Sequence, residues 1–279
     1  MFSGAMSERT FKRLSELIHT QCGIKMPPSK KVMLEGRIRK RLRVLGMNSI
    51  EQYCEFLLSE KGFENELVHA IDVVTTNKTD FFREPGHFEF LLDEGLPELV
   101  STRGWGMRKR LNVWSAGCST GEEPYSIAMV LREFANRYQN FTFSILATDI
   151  STKVLDAARA AVYDEARVEP VPMAFRKSYL LRSKDRSKKQ VKIAPELRAL
   201  VKFRRLNFME EDFGISEPVE IIFCRNVIIY FDRPTQQRLL SRFCSLLTPG
   251  GYLFMGHSET LNGMDLPLIN LGTTVYKKL

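Results

Sequence analysis

Small, polar and acidic residues follow two apolar runs of the sequence, where a parallel sheet would bring them together. The turn Gly117-Cys-Ser-Thr-Gly121 comes after one apolar run, Glu122-Glu123 comes directly after that turn, and Asp149 ends the next apolar run. In an open α/β sheet, ligands bind beyond the carboxyl ends of the strands, where an acidic side chain accepts hydrogen bonds from ribose hydroxyls. These residue types in this order suit a site for a nucleoside.

The charge around the turn indicates which kind of nucleoside. Ser119 stands where the dinucleotide pattern GxGxxG has its second glycine, and the carboxylates of Glu122 and Glu123 would repel a pyrophosphate. A ligand with an ammonium group would be favoured there, and S-adenosylmethionine (SAM) carries an ammonium, a sulfonium and no phosphate. A glycine turn and a strand-terminal Asp also occur as a plain turn and a helix cap. Together the residues favour a SAM-dependent methyltransferase over a dehydrogenase.

Strands that alternate with helices from residue 110 onward would position these side chains. This alternation predicts an α/β fold with a doubly wound, Rossmann-like sheet. The residues of the turn described above favour the SAM-methyltransferase type of this sheet. Residues at about 168–200 are rich in charge and fit this pattern poorly, so we expect a small inserted antiparallel β subdomain there. The strands of the main sheet are predicted at 111–116, 141–148, 201–206, 219–224 and 251–255. A closing strand at 273–277 is predicted to pair as a hairpin with the fifth.

Helical periodicity covers the chain before this sheet. It predicts an all-helical amino-terminal domain over residues 6–75 and a linker over 76–90, followed by the methyltransferase domain over 91–279. Residues 1–5 precede a second methionine and read as a cloning remnant.

The net charge of +8 is concentrated in two segments. Residues 25–43 carry net +7 and residues 176–205 carry net +10, so the remaining chain has a net charge of −9. Such patches attract polyanions. Residues 25–43 contain no aromatic side chain on which a base could stack, which opposes nucleic acid as the partner.

The cysteines and the hydropathy of the chain indicate the cellular compartment in which the protein works. Five cysteines lie far apart without CxxC spacing or nearby histidines, so we expect neither disulfides nor a metal site. No apolar run approaches the roughly 20 residues that span a bilayer, and the amino terminus lacks a secretory pattern. We therefore expect a cytoplasmic protein without direct membrane insertion.

Four segments of the chain resemble the chemotaxis receptor methyltransferases of the CheR family. They are 75–84 (TTNKTDFFRE), 113–128 (VWSAGCSTGEEPYSIA), 223–231 (FCRNVIIYF) and 256–259 (GHSE). The resemblance runs from about Arg9 to the end of the chain. It implies transfer of a methyl group from SAM to glutamate side chains of membrane chemoreceptors, with glutamate methyl esters and S-adenosylhomocysteine as products.

The resemblance also implies roles for individual residues. Arg83 and Tyr230 would lie nearest the transferred methyl group. The helix that bears Arg37, Lys40 and Arg41 would meet the acidic methylation helices of a receptor, and the inserted subdomain grips a receptor carboxyl-terminal peptide in some family members. The cofactor contacts would be Asn77, Thr79, Arg83, Glu123, Asp149, Asn207, Phe208, Arg225 and Asn226.

The implied chemistry needs no general base, because a glutamate carboxylate with an ordinary pKa of about 4.3 is already ionised at neutral pH. His257 is therefore expected to have a structural role. Two alternatives stay open at this point, namely a nucleic-acid methyltransferase and a SAM-sensing module without catalytic activity.

Overall fold

The structure, a computed structural model, describes residues 5–279 apart from the side chain of Arg186. The predicted cloning remnant at residues 1–5 therefore lies outside the described residues except for Ala5. Within the described range, no helix is both long and apolar enough to cross a membrane.

Four helices form the amino-terminal part of the chain, as predicted. Ser7, Ser49 and Ser59 each cap a helix, because each hydroxyl accepts a hydrogen bond from a backbone N–H of the first turn. Gly23 and Gly46 end two of the helices in the left-handed conformation. The helices are α1 (Glu8–Cys22), α2 (Lys31–Leu45), α3 (Ile50–Leu58) and α4 (Glu60–Val74).

One polar cluster ties three of these helices together inside an otherwise apolar core. Arg41 of α2 binds both carboxylate oxygens of Glu66 of α4 at 2.7 Å, and the hydroxyl of Tyr53 of α3 donates to Glu66 at 3.0 Å. Glu66 is only 2% exposed. Since a buried carboxylate is costly without a partner, the Arg41 guanidinium is required by the fold of this domain.

Seven further helices and ten strands form the rest of the described chain. A π-helical turn over Leu91–Gly95 joins the first two of the helices. The helices are α5 (Gly86–Phe90), α6 (Leu96–Arg103), α7 (Glu122–Arg137), α8 (Thr152–Ala160), α9 (Met173–Tyr179), α10 (Pro195–Arg198) and α11 (Arg233–Leu246). The strands are β1 (Leu111–Ala116), β2 (Phe143–Asp149), β3 (Val162–Asp164), β4 (Leu180–Arg182), β5 (Gln190–Ile193), β6 (Val201–Arg205), β7 (Val219–Cys224), β8 (Leu247–Met255), β9 (Leu268–Gly272) and β10 (Val275–Lys278).

Seven strands form the main sheet in the order β6-β2-β1-β7-β8-β10-β9. The five from β6 to β8 are parallel, and β10 pairs antiparallel with β8 and β9. This confirms the predicted doubly wound sheet and the pairing of the closing strand with β8. The predicted hairpin between these two strands is wrong, because β9 lies between them in the chain and forms the hairpin with β10. The strand β9 is absent from the prediction, because its residues are largely exposed and give no pattern of burial.

Successive side chains of the strands enter different cores on the two faces of the sheet. Val113 and Phe254 pack on the face of the sheet that α7 covers. Their neighbours Trp114 and Leu253 pack on the opposite face, which α11 covers. The strand order reverses at β1, which lies between β2 and β7. A crevice is expected outside the carboxyl ends of the strands at such a point.

The three remaining strands form a small antiparallel sheet in the order β3-β5-β4. It confirms a small β subdomain inserted between β2 and β6. Its first strand, β3, lies before residue 168, where the sequence predicts the insertion to begin. The division of the chain at residues 75 and 90 stays a prediction.

Replacing Arg41 with alanine tests the polar cluster of the helical domain. The variant leaves the Glu66 carboxylate buried without its cation, so we expect the free energy of unfolding to fall by about 3 kcal/mol. Lys40→Ala is the matched control, since Lys40 is the neighbouring cation on α2 and is exposed; its change should stay within about 0.5 kcal/mol. Urea unfolding of the full chain measures both, and equal losses in the two variants would contradict this role of Arg41.

Candidate active site

The turn between β1 and α7 forms the floor of a cleft at the carboxyl edge of the sheet. Gly117 has φ +90°, and a Cβ atom there would lie 2.5 Å from the Val227 side chain, so both the conformation and the space require glycine. The Ser119 N–H donates to Asp149 at 2.9 Å, and the Ser119 hydroxyl donates to the carbonyl of Asn77 at 2.9 Å. Ser119 thus joins this turn to β2 and to the segment after α4.

Asp149 ends β2 as predicted and is 8% exposed. One of its oxygens accepts from the Ser119 N–H and the other from the Ser151 N–H, both at 2.9 Å. Burial raises the pKa of this carboxyl group, and the backbone donors oppose the shift. A carboxylate offers about four lone-pair positions. The Ile150 backbone N–H is a third donor to this carboxylate, so Asp149 keeps acceptor capacity for one further hydrogen bond from a ligand.

Arg225, at the end of β7, connects three parts of the site. Its Nε lies 2.8 Å from the Glu123 carboxylate at the start of α7, and its Nη1 donates to the carbonyl of Arg83 at 2.5 Å. The other oxygen of Glu123 accepts from the Ser115 hydroxyl at 2.7 Å. The guanidinium also lies over the ring faces of Phe88 and Phe223.

The sequence interpretation of the two adjacent glutamates is wrong in one respect. Glu122 is fully buried and does not line the cleft, because its carboxylate pairs with Arg167 at 2.5 Å and accepts from the Thr120 hydroxyl at 2.6 Å. Glu123 does line the cleft, with each of its oxygens already hydrogen-bonded. Neither glutamate is a free anion that awaits an ammonium group, since each is neutralised by an arginine that is distant in the sequence.

The loop after Arg225 supplies an acceptor that the glutamates do not. Asn226 has φ +60°, and its Oδ1 is buried without a hydrogen-bond partner among the described residues. A buried acceptor of this kind is costly unless a ligand or water satisfies it. Asn226 lines the cleft, as does Tyr230 four residues later.

The helical domain forms one wall of the cleft, which the sequence analysis missed. The Lys25 N–H donates to the carbonyl of Tyr230 at 2.8 Å, and the Asn207 side chain donates to the carbonyl of Gln21 at 2.5 Å. The break at Gly23 was the available signal, but it indicates only that α1 ends there and not where the next segment packs. The wall is formed by Cys22, Ile24, Met26, Lys30 and Met33.

The cleft contains about 1030 Å³ of space, part of it open to solvent. It brings together all ten residues predicted to contact the cofactor or to lie nearest the methyl group, and their individual roles stay predictions. These residues are Asn77, Thr79, Arg83, Glu123, Asp149, Asn207, Phe208, Arg225, Asn226 and Tyr230.

The three cations predicted to bind the substrate differ in whether they are already paired within the chain. Arg41 is paired with Glu66, as described above. Arg37 bonds the carbonyl of Thr75 at 3.0 Å, the hydroxyl of Thr76 at 3.1 Å and the carbonyl of Val74. Of the three, Lys40 alone is exposed, and none of the three lines the cleft.

A group of possible metal ligands lies behind Arg225. The ligand atoms of Glu84, His87 and His257 all lie within 4.8 Å of one another. The Arg225 Nη1 is 3.3 Å from His87 Nδ1 and 3.6 Å from the Glu84 carboxylate, so its positive charge opposes a cation there. Burial lowers the pKa of His87 to about 4, so this histidine is neutral at physiological pH. Glu84 and His87 contact Arg225 directly and help to hold its guanidinium in place.

The residues of the cleft fit SAM on two observations. Asp149 has spare acceptor capacity at the end of β2, where ribose hydroxyls bind in this class of sheet. Asn226 presents a buried acceptor without a partner, which an ammonium group would satisfy.

A mainly parallel sheet with helices on both faces, together with a cleft of this composition, defines a SAM-dependent methyltransferase. The family model described as the CheR methyltransferase SAM binding domain matches residues 77–277, and the model for the CheR methyltransferase all-alpha domain matches residues 9–75. The chain belongs to the CheR family of methyltransferases, and SAM is its cofactor.

Curated relatives agree with this assignment over nearly the whole chain. The chemotaxis protein methyltransferase of Borreliella burgdorferi is 42% identical and covers 95% of this chain and 93% of its own. Chemotaxis protein methyltransferase 2 of Pseudomonas aeruginosa is 40% identical over 95% and 91% of the two chains. The chemotaxis protein methyltransferase of Escherichia coli is 37% identical over 98% and 91%. SAM-dependent methylation in chemotaxis is therefore the activity of this family and of this chain.

Proposed function

We propose that the chain methylates glutamate side-chain carboxylates of membrane chemoreceptors and forms glutamate methyl esters. The observation that carries this proposal is the set of charged groups along the cleft. Among the described residues that line it, there is no histidine, and its carboxylates, Glu123 and Asp149, are both held by hydrogen bonds. The lining cations outside the Arg225 pair are Lys30, Lys78 and Arg83.

This distribution of charge favours a carboxylate as the acceptor of the methyl group. An amine or hydroxyl acceptor must lose a proton during methylation, and enzymes usually position a base for that purpose. A glutamate acceptor is already ionised. The three cations at the cleft would attract it and would disfavour a cationic acceptor such as lysine.

When bound, SAM supplies a methyl group on a positively charged sulfonium, which a carboxylate can attack directly. In our proposal, Asp149 accepts from a ribose hydroxyl and Asn226 from the ammonium group. The cleft then contributes mainly alignment and exclusion of water. The apolar wall from the helical domain, including Ile24 and Met33, supports the second contribution.

Arg83 and Tyr230 are the proposed groups that meet the incoming carboxylate. Arg83 is half-buried, and its guanidinium makes one long hydrogen bond, at 3.3 Å to the carbonyl of Lys78. The Tyr230 hydroxyl has no hydrogen-bond partner among the described residues, and its ring lies beneath the Lys30 ammonium at 5.4 Å. Both side chains line the cleft and keep donors available for a substrate oxygen.

The outer face of α2 is the proposed contact for the acidic methylation helices of a receptor. Val32, Lys40, Arg43 and Val44 are exposed on this face, opposite the buried Leu34, Ile38 and Leu42. An acidic amphipathic helix would match its two cations and two apolar side chains.

The small sheet offers a second contact for a receptor. Its edge strand β4 pairs with β5 alone in the described chain, and it carries the exposed Leu181 and Arg182. A free strand edge can pair with an extended peptide. We therefore propose that a receptor carboxyl-terminal peptide binds here.

The stability of the product tests the proposed reaction. Incubation with labelled SAM and receptor-containing membranes should label the receptor band, and mild base should release the label as methanol, because esters hydrolyse where N-methyl groups do not. Label that survives base on nucleic acid would indicate a nucleic-acid methyltransferase. Binding of SAM without transfer to any acceptor would indicate a sensing module.

Changes at the two proposed catalytic residues test their contact with the reacting carboxylate. We expect Tyr230→Phe to lower the single-turnover rate at saturating SAM by about fivefold, the value of one neutral hydrogen bond, and Arg83→Ala to lower it more. Tyr138→Phe, at an exposed tyrosine beyond α7, is the control and should change nothing. Wild-type rates in both variants would remove these residues from the reaction.

Reversal of charge on α2 tests the receptor contact. Lys40→Glu with Arg43→Glu should raise the KM for receptor by about tenfold at low salt and leave SAM affinity unchanged, because the face lies outside the cleft. The effect should shrink as salt screens the charges. The control is the double variant Arg132→Glu with Arg137→Glu, which makes the same change of net charge at two exposed residues of α7. An equal rise in KM for this control pair would count against α2 as the contact.

A further inference from the structure

Glu259, in the turn that follows β8, lies behind the loop that lines the cleft. One of its carboxylate oxygens accepts from the N–H of Asn226 at 2.8 Å and from the N–H of Gly256 at 2.7 Å. The other oxygen accepts from the Ile229 N–H at 3.4 Å. A single side chain therefore holds backbone groups of two loops that are 30 residues apart in the sequence.

The loop conformation explains why these N–H groups converge. Asn226 is left-handed with φ +60°, and Val227 follows in the right-handed helical region with φ −114° and ψ −47°. When a residue in the left-handed region is followed by one in the right-handed region, their backbone N–H groups point to the same side and form a concave site for an anion. Glu259 occupies that site.

Gly256 completes the arrangement from the other side. A Cβ atom at this position would lie 2.5 Å from Asn226 Nδ2 and 2.8 Å from the Asn226 backbone nitrogen. The close approach of the two loops therefore requires a glycine, and it leaves Asn226 little room to move.

Among the described residues, the Glu259 carboxylate is compensated by backbone N–H groups and has no cation as a partner. It is 3% exposed, and burial raises its pKa, while the N–H groups of Gly256, Asn226, Ile229 and Val227 lower it. A buried anion is tolerated only where such donors satisfy it. Conversely, the left-handed Asn226 is costly for a residue with a side chain, and it persists only where the surroundings enforce it.

We propose that Glu259 is a positioning residue of the active site. By holding the loop over residues 226–230, it aims the unpartnered Asn226 Oδ1 at the cofactor and places Tyr230 at the cleft. Loss of the carboxylate should weaken cofactor binding through Asn226 and slow methyl transfer through Tyr230. The second effect rests on the proposed function; the first rests on the cofactor alone.

Glu259→Gln tests the proposal with a side chain of nearly the same shape. The amide turns one acceptor into a donor that faces backbone N–H groups. We expect the Kd for SAM by calorimetry to rise about tenfold, and the single-turnover rate at saturating SAM to fall about tenfold. Glu220→Gln is the matched control, since Glu220 is a fully buried carboxylate on β7 that accepts the Asn112 N–H at 2.7 Å, away from the cleft. It should leave both constants unchanged.

Two outcomes would overturn the proposal that Glu259 is a positioning residue. A Glu259→Gln variant that loses thermal stability but keeps both constants shows a role in folding alone, and equal changes in Glu220→Gln show a general effect of buried charge. If wild-type enzyme labels no receptor glutamate, the proposed function fails, and the SAM affinities still decide the role of Glu259 toward Asn226.

If Glu259→Gln does not fold, hydrogen exchange of backbone N–H groups in the wild-type enzyme tests whether Glu259 holds the two loops. The N–H groups of Asn226 and Gly256 should exchange about a hundredfold more slowly than that of Ser258, which is exposed in the same turn as Glu259. Exchange of all three at the same rate would overturn the proposal.

Discussion

The buried ion pair of Arg225 and Glu123 is the interaction on which the site depends. It joins the end of β7 to the first turn of α7 at 2.8 Å, with the two side chains 2% and 9% exposed. The same guanidinium holds the carbonyl of Arg83. Removal of one member of such a pair leaves an uncompensated charge, which typically costs about 3–5 kcal/mol. The positions of the end of β7, the first turn of α7 and the backbone at Arg83 therefore depend on one guanidinium.

The cleft also requires both parts of the chain. The parallel sheet supplies the polar floor, and the segment after α1 supplies an apolar wall and the Lys30 ammonium. His19 of α1 pairs at 3.0 Å with Asp232, which caps α11. The Thr235 hydrogen bonds and, to a lesser degree, His19 lower the pKa of Asp232 to about 2. The helical domain is thus both the proposed receptor contact and a structural part of the cofactor site.

The main sheet and the lining of the cleft could be predicted well from the sequence. Apolar runs indicated β1, β2, β7 and β8, because strands buried on both faces need continuous apolar residues. The parallel edge strand β6 carries three cations among its five residues and is only partly buried. The edge strand β9 could not be found, since it is largely exposed and carries no such pattern. The wall at Lys30 and Met33 was missed for another reason. It lies before a domain boundary, and nothing local indicates that it folds back against Tyr230.

The sequence by itself determined which residue types are present and which segments are buried, because apolar periodicity is a local property of neighbouring residues. It also contained the motif residues that meet at the cleft. Only the tertiary structure decided which charges are free. Arg41 and Lys40 are adjacent, yet one is held by Glu66 and the other faces solvent. Glu122 is likewise neutralised by Arg167, 45 positions away in the numbering. Pairing of this kind joins residues that are distant along the chain, and the physical reason is that a buried charge must find its partner in space.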